Sequence, residues 1–561
     1  MSKIWKLYPD RSGNRERLSE ALGIHPIVAQ LLVNRGIEDT REARDFLQAN
    51  LAALHDPFEM KDMDRAVARI NQAVRDREKV LVYGDYDVDG VLSSVILNRL
   101  LTALGLEVVH HIPHRMREGY GLNHDIAESA RAQDVNLMIT IDCGITARAE
   151  VETIQANGID VIVIDHHEPP EDGVPPAAAV IDPKRADCSY PFKELASVGL
   201  ALKLVQALRS DLVEDVLDLV AVGTVADVVP LRGENRILVK NGLQRVNATP
   251  NAGLRALLAN AKLTKKRITP FHVGFILGPR INAAGRMGSA HTSLDLFLSQ
   301  EDSLAGEIAK ELESHNQDRQ KMQNNIISEA MAIVEEQVNF KDEKVIVLKK
   351  EGWHKGVLGI VASRLTDRYY RPSIVISTRE GIGTASCRSI DGFHIHNALS
   401  ACQDMLVTFG GHEGAAGLTI KEEFIETFRT MINEVAAKTL ELKKLTPTLA
   451  IDCEIPLASI DEALVQTIDE LQPYGEGNPS PVFCTRGVEV KSYPQIMGKG
   501  TLKFWVQQGE KAISAIGFGM ERFAGLISPG GRVDLAYEMA IDDWNKAPQA
   551  QLRLKDIRPS E

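Results

Sequence analysis

Acidic and histidine side chains follow directly after apolar runs at four places in this sequence. They lie in Asp85-Tyr-Asp-Val-Asp89, at Asp142, in Asp165-His-His167 and at Asp227. Carboxylate and imidazole ligands without a thiolate suit hard or borderline divalent ions, so the pattern predicts manganese or magnesium rather than structural zinc. The number of ligands is sufficient for two ions, and two-ion sites of this kind hydrolyse phosphodiester bonds.

A parallel sheet is the element that would bring these side chains together. Apolar runs predicted as strands alternate with amphipathic stretches predicted as helices, the first of them beginning at Val91. The predicted strands are Val80–Tyr83, Val108–Ile112, Leu137–Ile141 and Val161–Ile164. Reactive sites of such sheets lie beyond the carboxyl ends of the strands, where three of the four segments are found. We expect Asp87 and Asp89, two residues apart in extended chain, to face one pocket.

The rest of the chain predicts three further parts. Apolar residues recur at helical spacing from Leu304 to Val334, which indicates a long helix bridging two domains. A strand-helix-strand pattern from Lys344 to Ile376 predicts a smaller α/β domain, and short strands with glycine turns after Pro447 predict a β-barrel, most simply an OB-fold.

The predicted fold class is therefore α/β, with a parallel-sheet catalytic domain, a smaller α/β domain joined to it by a long helix, and a C-terminal OB-like barrel. The predicted segments are 1–60 for an N-terminal extension packing on the core, 61–300 for the catalytic domain, 301–340 for the connecting helix, 341–441 for the smaller α/β domain and 447–561 for the barrel.

Composition narrows the class of protein. The chain has 561 residues, of which 44% are hydrophobic and 25% charged, and these proportions are typical of a globular protein with several domains. Neither a signal peptide nor an apolar run of membrane-spanning length is present, so we expect a soluble, cytoplasmic protein. The six cysteines form no CxxC pair, which disfavours a disulfide framework. A net charge of −13 argues weakly against a nucleic-acid partner but leaves room for a local basic groove.

Each motif has a simpler interpretation when it is taken alone. The Asp85 segment could be a calcium-type loop or a solvated turn, and an aspartate at a strand end, such as Asp142, is commonly the N-cap of the next helix. Adjacent histidines after an apolar strand are rarer. Because four such segments in one α/β domain are improbable by chance, we interpret them jointly as a metal site.

Five motifs resemble those of the DHH phosphoesterase family, and the resemblance covers nearly the whole chain. They are Asp85–Gly90, Thr140–Gly144, Asp165–His167, Val225–Val229 and the glycine-rich Gly410–Gly417 of the smaller domain. The form of the first motif, the length and the additional motifs are most similar to the branch of 5′ to 3′ exonucleases specific for single-stranded DNA.

The resemblance implies roles for individual residues. The implied metal ligands are Asp87, Asp89, Asp142, His166 and Asp227, with Asp142 bridging two ions. His167 would contact the scissile phosphate, and Asp165 would orient the imidazoles. One position departs from the pattern, because some branches carry a metal-binding histidine where this chain has Tyr83. Two possibilities stay open: the first ion is loosely held, or Asp85 takes part in the site.

An exonuclease must also recognise a strand end, and arginine forks with hydroxyl donors are well suited to a 5′-phosphate. Candidates lie in glycine-rich or polar loops, which let the backbone approach a phosphate. They are Arg115, Tyr120, Arg280, Asn282, Arg286, Ser386, Arg388 and His412. The resemblance implies that Arg115, Arg286, Ser386 and Arg388 surround the terminal nucleotide.

Two groups of candidates have competing interpretations. His412 would either close the site beside a helix N-terminus after Gly411, which attracts phosphate, or stand in a tight turn. Aromatic residues of the barrel would either stack on bases or lie in its core. The aromatics concerned are Tyr493, Phe504, Trp505, Phe518 and Trp544.

The predicted function is a single-stranded-DNA-specific 5′ to 3′ exonuclease of recombination and repair, which releases 5′-mononucleotides with two Mn²⁺ or Mg²⁺ ions. Its expected partners are single-stranded DNA with a 5′ end and, by the resemblance alone, a single-strand-binding protein and a repair helicase. One alternative is a DHH phosphodiesterase for nano-RNA or cyclic dinucleotides, although such chains usually lack the barrel. The other is a non-catalytic DHH-fold DNA-binding protein, although none of the implied metal ligands is lost here.

Overall fold

The computed structural model describes residues 3–114, 118–119, 121–123, 125–542 and 549–560. Two compact units make up the chain. The smaller consists of 1–4, 113–119 and 279–447, and the larger of 5–112, 120–278 and 448–561. The division into five segments stays a prediction. Among the described residues, no helix is both long enough and apolar enough to cross a membrane.

The larger unit contains the predicted parallel sheet. Its five strands, in spatial order, are Glu107–His111, Lys79–Gly84, Leu137–Ile141, Asp160–Ile164 and Ala179–Ile181. Every neighbouring pair is parallel. The three strands followed by the acidic and histidine segments are adjacent in this order, so their carboxyl ends meet at one place on the edge of the sheet. The sequence pattern missed only the short fifth strand of this sheet.

The helix that follows the strand Lys79–Gly84 begins earlier in the chain than the predicted start at Val91. It spans Val88–Ala103, and its N-cap is Asp87, whose Oδ1 accepts hydrogen bonds from the backbone N–H groups of Asp89 and Gly90. The prediction of extended chain is therefore correct for Asp87, which has φ −92° and ψ −174°, but wrong for Asp89, which lies in the first turn of the helix. A Cβ at Gly90 would lie 2.6 Å from the backbone of Asp85, so only glycine permits this tight entry to the helix.

The helices of this unit pack on the sheet, on the barrel or on one another. They are Ser12–Leu22, Pro26–Asn34, Thr40–Gln48, Met63–Asp76, Val88–Ala103, Ile126–Ala132, Arg148–Ala156, Ser197–Leu208, Val213–Ala226, Gly233–Arg245, Ala252–Asn260, Pro270–His272 with the π-helical turn Val273–Leu277, and Glu462–Asp469. The helix Val88–Ala103 is buried along almost its whole length, which explains its run of apolar residues on every face.

The C-terminal part of the larger unit is a closed barrel. Its strands are Cys453–Glu454, Phe483–Val490, Gln495–Met497, Thr501–Gln508, Lys511–Gly517, Arg532–Asp542 and Gln549–Pro559. Pairing of Phe483–Val490 with both Arg532–Asp542 and Thr501–Gln508 closes the circuit, as in an OB-fold. The strand Phe483–Val490 was not predicted. Core residues of the three N-terminal helices, such as Leu18 and Leu31, share one hydrophobic core with the barrel.

The smaller unit is built on the long helix, which spans Asp302–Gln337. Its mixed sheet has the order Leu406–Gly411, Ala415–Lys421, Ile382–Arg388, Ser373–Arg379 and Ile346–Glu351. The remaining helices are Gly278–Met287, His291–Leu298, Leu358–Tyr369, Ile395–Ser400 and Ile425–Thr439.

The glycine-rich segment of the smaller unit forms a tight hairpin turn. The strand Leu406–Gly411 pairs with Ala415–Lys421, and the N–H of His412 donates to the carbonyl of Ala415. The alternative of a helix N-terminus after Gly411 is therefore wrong. Gly411 has φ 140°, and a Cβ there would lie 2.4 Å from the Ala415 carbonyl oxygen, so the turn requires glycine.

Candidate metal centre and phosphate-binding residues

The structure brings six of the predicted acidic and histidine residues, with His167, into three overlapping groups. Within each group the possible ligand atoms lie within 4.8 Å of one another. The groups are Asp85, Asp87 and Asp142; Asp89, His166 and Asp227; and Asp142, His166 and His167. Asp142 and His166 each belong to two groups, which is the arrangement that two neighbouring ions would require.

Asp142 owes its place to an unusual backbone conformation. It follows the strand Leu137–Ile141 with φ 65°, in the left-handed region that is uncommon for residues other than glycine. Its N–H donates to the carbonyl of Ile164 on the neighbouring strand. The simple interpretation of Asp142 as a helix N-cap is therefore wrong, since the helix that follows does not begin until Arg148. Its carboxylate, 3% exposed, turns instead into the cluster.

The N-terminus of the helix Ser197–Leu208 holds two of the carboxylates. Asp89 Oδ2 accepts from the N–H of Ser197 at 2.7 Å, and Asp89 Oδ1 from the N–H of Val198 at 2.9 Å. Ser197 Oγ donates to Asp142 Oδ1 at 2.8 Å. All four residues are buried, and a helix N-terminus stabilises negative charge through its unpaired N–H groups. Ser197 therefore fixes the orientation of the Asp89 and Asp142 carboxylates.

The two histidines have different environments. His166 is buried, with Nε2 at 3.3 Å from Asp142 Oδ1 and 3.7 Å from Asp227 Oδ2. Burial and then the charge of His167 lower the pKa of His166 to about 3, so its imidazole is neutral and can donate a lone pair to a metal. The side chain of His167 is 46% exposed, with Nδ1 at 2.7 Å from Asp165 Oδ1. Burial opposes protonation of His167, but the Asp165 hydrogen bond prevails and raises its pKa.

Asp165 fixes the loop that carries both histidines. Its Oδ1 accepts from the N–H groups of His166 and His167, and its Oδ2 accepts from the N–H of Ile145. Although burial raises its pKa, the hydrogen bond and charge of His167 lower it below the ordinary value. Asp165 is thus ionised, and both of its carboxylate oxygens accept hydrogen bonds from backbone N–H groups.

The donor set fits divalent cations. Burial, followed by the charges of the other carboxylates, raises the pKa values of Asp89 and Asp142 well above the ordinary range, and burial and then Asp87 raise that of Asp227 to about 6. Carboxylates in such proximity repel one another unless cations compensate them. Moreover, Asp227 Oδ2 is buried without a hydrogen-bond partner among the described residues. An orphaned carboxylate oxygen 3.7 Å from a neutral imidazole nitrogen fits the ligand chemistry of a divalent metal ion.

Tyr83 lies in the strand Lys79–Gly84, two residues before Asp85. Its ring is fully buried and stacks on His111, with centroids 5.0 Å apart, and its hydroxyl donates to the carbonyl of Gly121 at 2.8 Å. Asp85, by contrast, shares a group with Asp87 and Asp142. Of the two possibilities left open by the sequence, the geometry favours participation of Asp85.

A buried carboxylate at the next strand end provides a test of local electrostatics. Asp182 follows the strand Ala179–Ile181 and is fully buried; its Oδ1 accepts from the N–H of Lys184, and its Oδ2 has no hydrogen-bond partner among the described residues. Burial raises its pKa to about 7. Because the folded state then binds this proton more tightly than the unfolded state, stability is lost as the pH rises from about 4 to about 7.

We therefore expect Asp182→Asn to unfold at a higher Tm than the unmodified protein at pH 8, by at least about 3 °C. The difference should vanish near pH 4, where both side chains are neutral. Thermal unfolding followed by circular dichroism in EDTA across this range checks the prediction. An equal Tm at both ends of the range would contradict it.

Most of the predicted phosphate-binding residues lie in the smaller unit. Arg388 Nη1 donates to Ser386 Oγ at 3.3 Å, and Arg286 Nη1 donates to the carbonyl of Gly356 at 2.9 Å. Arg280 is on the helix Gly278–Met287 and donates to Glu313, Asn282 is on the same helix, and His412 is exposed at the hairpin turn. Arg115 and Tyr120, like Trp544 of the barrel, lie outside the described residues.

Sequence reasoning missed the glycine that brings two of these residues to a helix. A Cβ at Gly359 would lie 2.9 Å from Arg388 Nη2 and 3.1 Å from Ser386 Oγ. Gly359 is in the first turn of the helix Leu358–Tyr369, so Ser386 and Arg388 meet a helix N-terminus. Arginine, hydroxyl and helix N–H groups together are suited to a phosphate. A glycine within the predicted helical segment Val357–Arg364 is the one sequence feature that could have indicated a close approach of other residues to this helix.

The barrel aromatics divide between core and surface. Phe504 is buried, whereas Tyr493 and Phe518 are mostly exposed and Trp505 is 42% exposed. The alternation of Phe504 and Trp505 follows the inward and outward positions of the strand Thr501–Gln508. Phe504 is thus a core residue, and the other three are accessible.

Three family models match successive parts of the chain. The DHH family N-terminal domain matches residues 79–224, the DHHA1 domain matches 342–438 and the RecJ OB domain matches 451–556. The matched ranges contain the parallel sheet, the mixed sheet and the barrel.

Individual relatives match over nearly the whole chain. The single-stranded-DNA-specific exonuclease RecJ of Bacillus subtilis is 39% identical, across 99% of this chain and 71% of that protein. Its counterpart from Haemophilus influenzae is 34% identical, across 97% of this chain and 98% of that protein. The crystal structure of RecJ in complex with Mn²⁺ from Thermus thermophilus is 30% identical, with a TM-score of 0.84 across 100% of this chain and 80% of that one. A corresponding Mg²⁺ complex is also similar, with a TM-score of 0.77. The chain therefore belongs to the RecJ family.

Proposed function

We propose that this chain is a metal-dependent exonuclease that degrades single-stranded DNA from its 5′ end and releases 5′-mononucleotides. The observation that carries the proposal is the set of three overlapping ligand groups, which share Asp142 and His166. When bound there, two divalent ions, Mn²⁺ or Mg²⁺, would supply Lewis acidity for the activation of water and positive charge to offset that of an in-line phosphoryl transition state. The residues that would hold them are Asp85, Asp87, Asp89, Asp142, His166 and Asp227.

The chain's other residues would act on the phosphate and on the ligands. His167, with its raised pKa and Nδ1 held by Asp165, presents Nε2 to the scissile phosphate and can donate a hydrogen bond to it. Asp165 fixes the orientation of that imidazole. Ser197 and the N–H groups around it keep Asp89 and Asp142 in place.

The polarity of cleavage is attributed to the smaller unit. Ser386, Arg388 and the helix N-terminus beside Gly359 form a group of hydrogen-bond donors suited to a terminal phosphate dianion. Arg286, which donates to Gly356 in the turn before that helix, belongs to the same region. We infer that a 5′-phosphate bound here sets which strand end is degraded.

The accessible aromatics of the barrel and the basic residues near them would hold the strand beyond the cleavage site. We also propose a cytoplasmic role in DNA recombination and repair, alongside a single-strand-binding protein and a repair helicase. The family membership supports this role and these partners.

A digestion series tests the proposed function. Single strands labelled at the 5′ or the 3′ end, a blunt duplex and a dinucleotide are incubated with Mn²⁺, Mg²⁺ or EDTA. We expect a labelled mononucleotide at once from the 5′-labelled single strand, late release of the 3′ label, an intact duplex and no reaction in EDTA. Faster hydrolysis of the dinucleotide than of the long strand would contradict the proposal in favour of a small-substrate phosphodiesterase.

Arg388→Ala should weaken the preference for a 5′-phosphate. We expect the ratio of kcat/KM for 5′-phosphorylated and 5′-hydroxyl single strands to fall about 10- to 100-fold, because a charge-assisted hydrogen bond is lost. Arg379→Ala is the matched control, since Arg379 ends the neighbouring strand with its side chain exposed. If the ratio is the same in Arg388→Ala and in the control, Arg388 does not bind the terminal phosphate.

A further inference from the structure

The long helix of the smaller unit carries a buried arginine without a counter-ion. Arg319 is 7% exposed, and its guanidinium donates to Asn316 Oδ1 at 2.9 Å and to Gln323 Oε1 at 2.8 Å. Both acceptors are neutral amides one turn away on the same helix. Across the described part of the chain, no carboxylate lies within 4.0 Å of this guanidinium. A buried charge of this kind destabilises the fold unless something compensates it.

Two hydrogen-bond donors beside this charge lack acceptors. Arg319 Nε and Asn316 Nδ2 are both buried, and neither has a hydrogen-bond partner among the described residues. Asn316 is 1% exposed, and its own carbonyl oxygen is already occupied by Arg319. Buried donors are rarely left unsatisfied in folded proteins. The two atoms therefore still require an acceptor, and the charge beside them favours an anionic one.

A second arginine, itself paired with a carboxylate, acts electrostatically on Arg319. Arg280, on the helix Gly278–Met287, donates from Nε to Glu313 Oε2 at 2.6 Å. Burial, and after it the charge of Arg280, lower the pKa of Arg319. A protein that places two arginines near one another in a partly buried position offers an attractive site to an oxyanion.

We propose that Arg319 and Asn316, supported by Arg280, bind a phosphodiester group of the DNA backbone. This inference rests on the proposed function, which supplies the ligand class, and it adds a contact distinct from the group of Ser386 and Arg388. The planar fork of an arginine and the amide N–H match the oxygens of a phosphate, which accept hydrogen bonds and bring no proton of their own. The charge of Arg319 lowers the stability of the ligand-free protein, and it is retained because it contributes to binding of the phosphodiester group.

Two substitutions separate this role from a structural one. Arg319→Met removes the charge and keeps the bulk of the side chain. Asn316→Asp replaces the orphaned N–H group with a carboxylate oxygen and so provides an internal counter-ion for Arg319. In the ligand-free full-length protein, both variants should unfold at a Tm equal to or higher than that of the unmodified protein. A structural arginine would instead give a lower Tm when it is replaced.

Binding is measured by fluorescence anisotropy in EDTA, with a labelled 20-nucleotide oligothymidylate over a range of salt concentrations. We expect both variants to bind about 10-fold more weakly, and Arg319→Met to reduce the dependence of log K on log salt by about 0.7, which is the loss of one phosphate contact. Lys310→Met, on the exposed face of the same helix, is the matched control. It should change neither the affinity for the oligonucleotide nor the salt dependence of binding.

Further measurements distinguish which anion binds to Arg319 and Asn316. Equal weakening for 5′-phosphorylated and 5′-hydroxyl oligonucleotides supports a backbone phosphate, whereas weakening confined to the phosphorylated strand overturns the assignment in favour of the terminal group. If inorganic phosphate raises the Tm of the unmodified protein and the variants bind DNA normally, the anion is free phosphate and the proposal fails. Failure of the proposed function looks different, because the unmodified protein itself would then neither bind nor degrade the single strand.

Discussion

Asp142→Ala is expected to abolish metal-dependent cleavage, with a fall of about three orders of magnitude or more in the rate of mononucleotide release. Asp142 belongs to two of the three ligand groups, so its removal weakens both ion positions at once. It also leaves Ser197 Oγ without its acceptor. The rate is measured on a 5′-labelled single strand at saturating Mn²⁺.

The loss must be separated from misfolding and from loss of DNA binding. Affinity for single-stranded DNA in EDTA should be unchanged or greater in Asp142→Ala, because the variant removes a negative charge from the site. Asp76→Ala, at the exposed end of the helix Met63–Asp76, is the matched control and should cleave normally. Retention of more than about a tenth of the activity by Asp142→Ala would refute the assignment of Asp142 as a shared ligand.

Ser197→Ala is expected to raise the Mn²⁺ concentration needed for half-maximal activity about 10- to 100-fold, the usual effect of losing a hydrogen bond that orients a metal ligand. Activity at saturating Mn²⁺ should return to within a fewfold of the unmodified protein, because the ligands themselves remain. The backbone N–H bonds to Asp89 are unaffected by this substitution. Direct binding of Mn²⁺ by electron paramagnetic resonance, without DNA, gives the same comparison independently of catalysis.

Ser93→Ala is the matched control for this prediction. Ser93 is equally buried on the neighbouring helix Val88–Ala103, but its hydroxyl has no hydrogen-bond partner among the described residues. Its removal should leave the metal dependence unchanged. Identical Mn²⁺ affinities for the two serine variants would show that the contact of Ser197 with Asp142 does not control metal binding.

The sheet and the acidic segments were predictable because both leave local patterns. Apolar runs of strand length, each followed by an aspartate or histidine, predict a parallel sheet with polar groups at one edge. Ser197 leaves no such pattern, since its partners Asp89 and Asp142 are 108 and 55 residues away in the chain. Contacts of this separation arise from packing, and a single sequence carries no periodic signal for them.

Two predictions of local backbone conformation were wrong, and in each place a nearby side chain or turn explains the difference. Asp89 was placed in extended chain because the apolar run at Val91 marked the helix, but the hydrogen bonds accepted by the side chain of Asp87 start the helix at Val88. A helix was considered after Gly411 because small residues follow it, yet a glycine with φ 140° joins two strands there. In both places a side-chain cap or a turn decided the conformation, whereas hydrophobic periodicity reports only on burial.

The left-handed backbone of Asp142 limits which residues evolution can sample at that position. Most side chains cost about 1–2 kcal/mol in this conformation, whereas glycine and asparagine enter it readily. Copies of this gene that drift away from catalysis should therefore acquire Asn or Gly at position 142 before valine or isoleucine, because only the former leave the strand end undisturbed. A relative without catalytic activity would then keep the fold and lose only the negative charge at position 142.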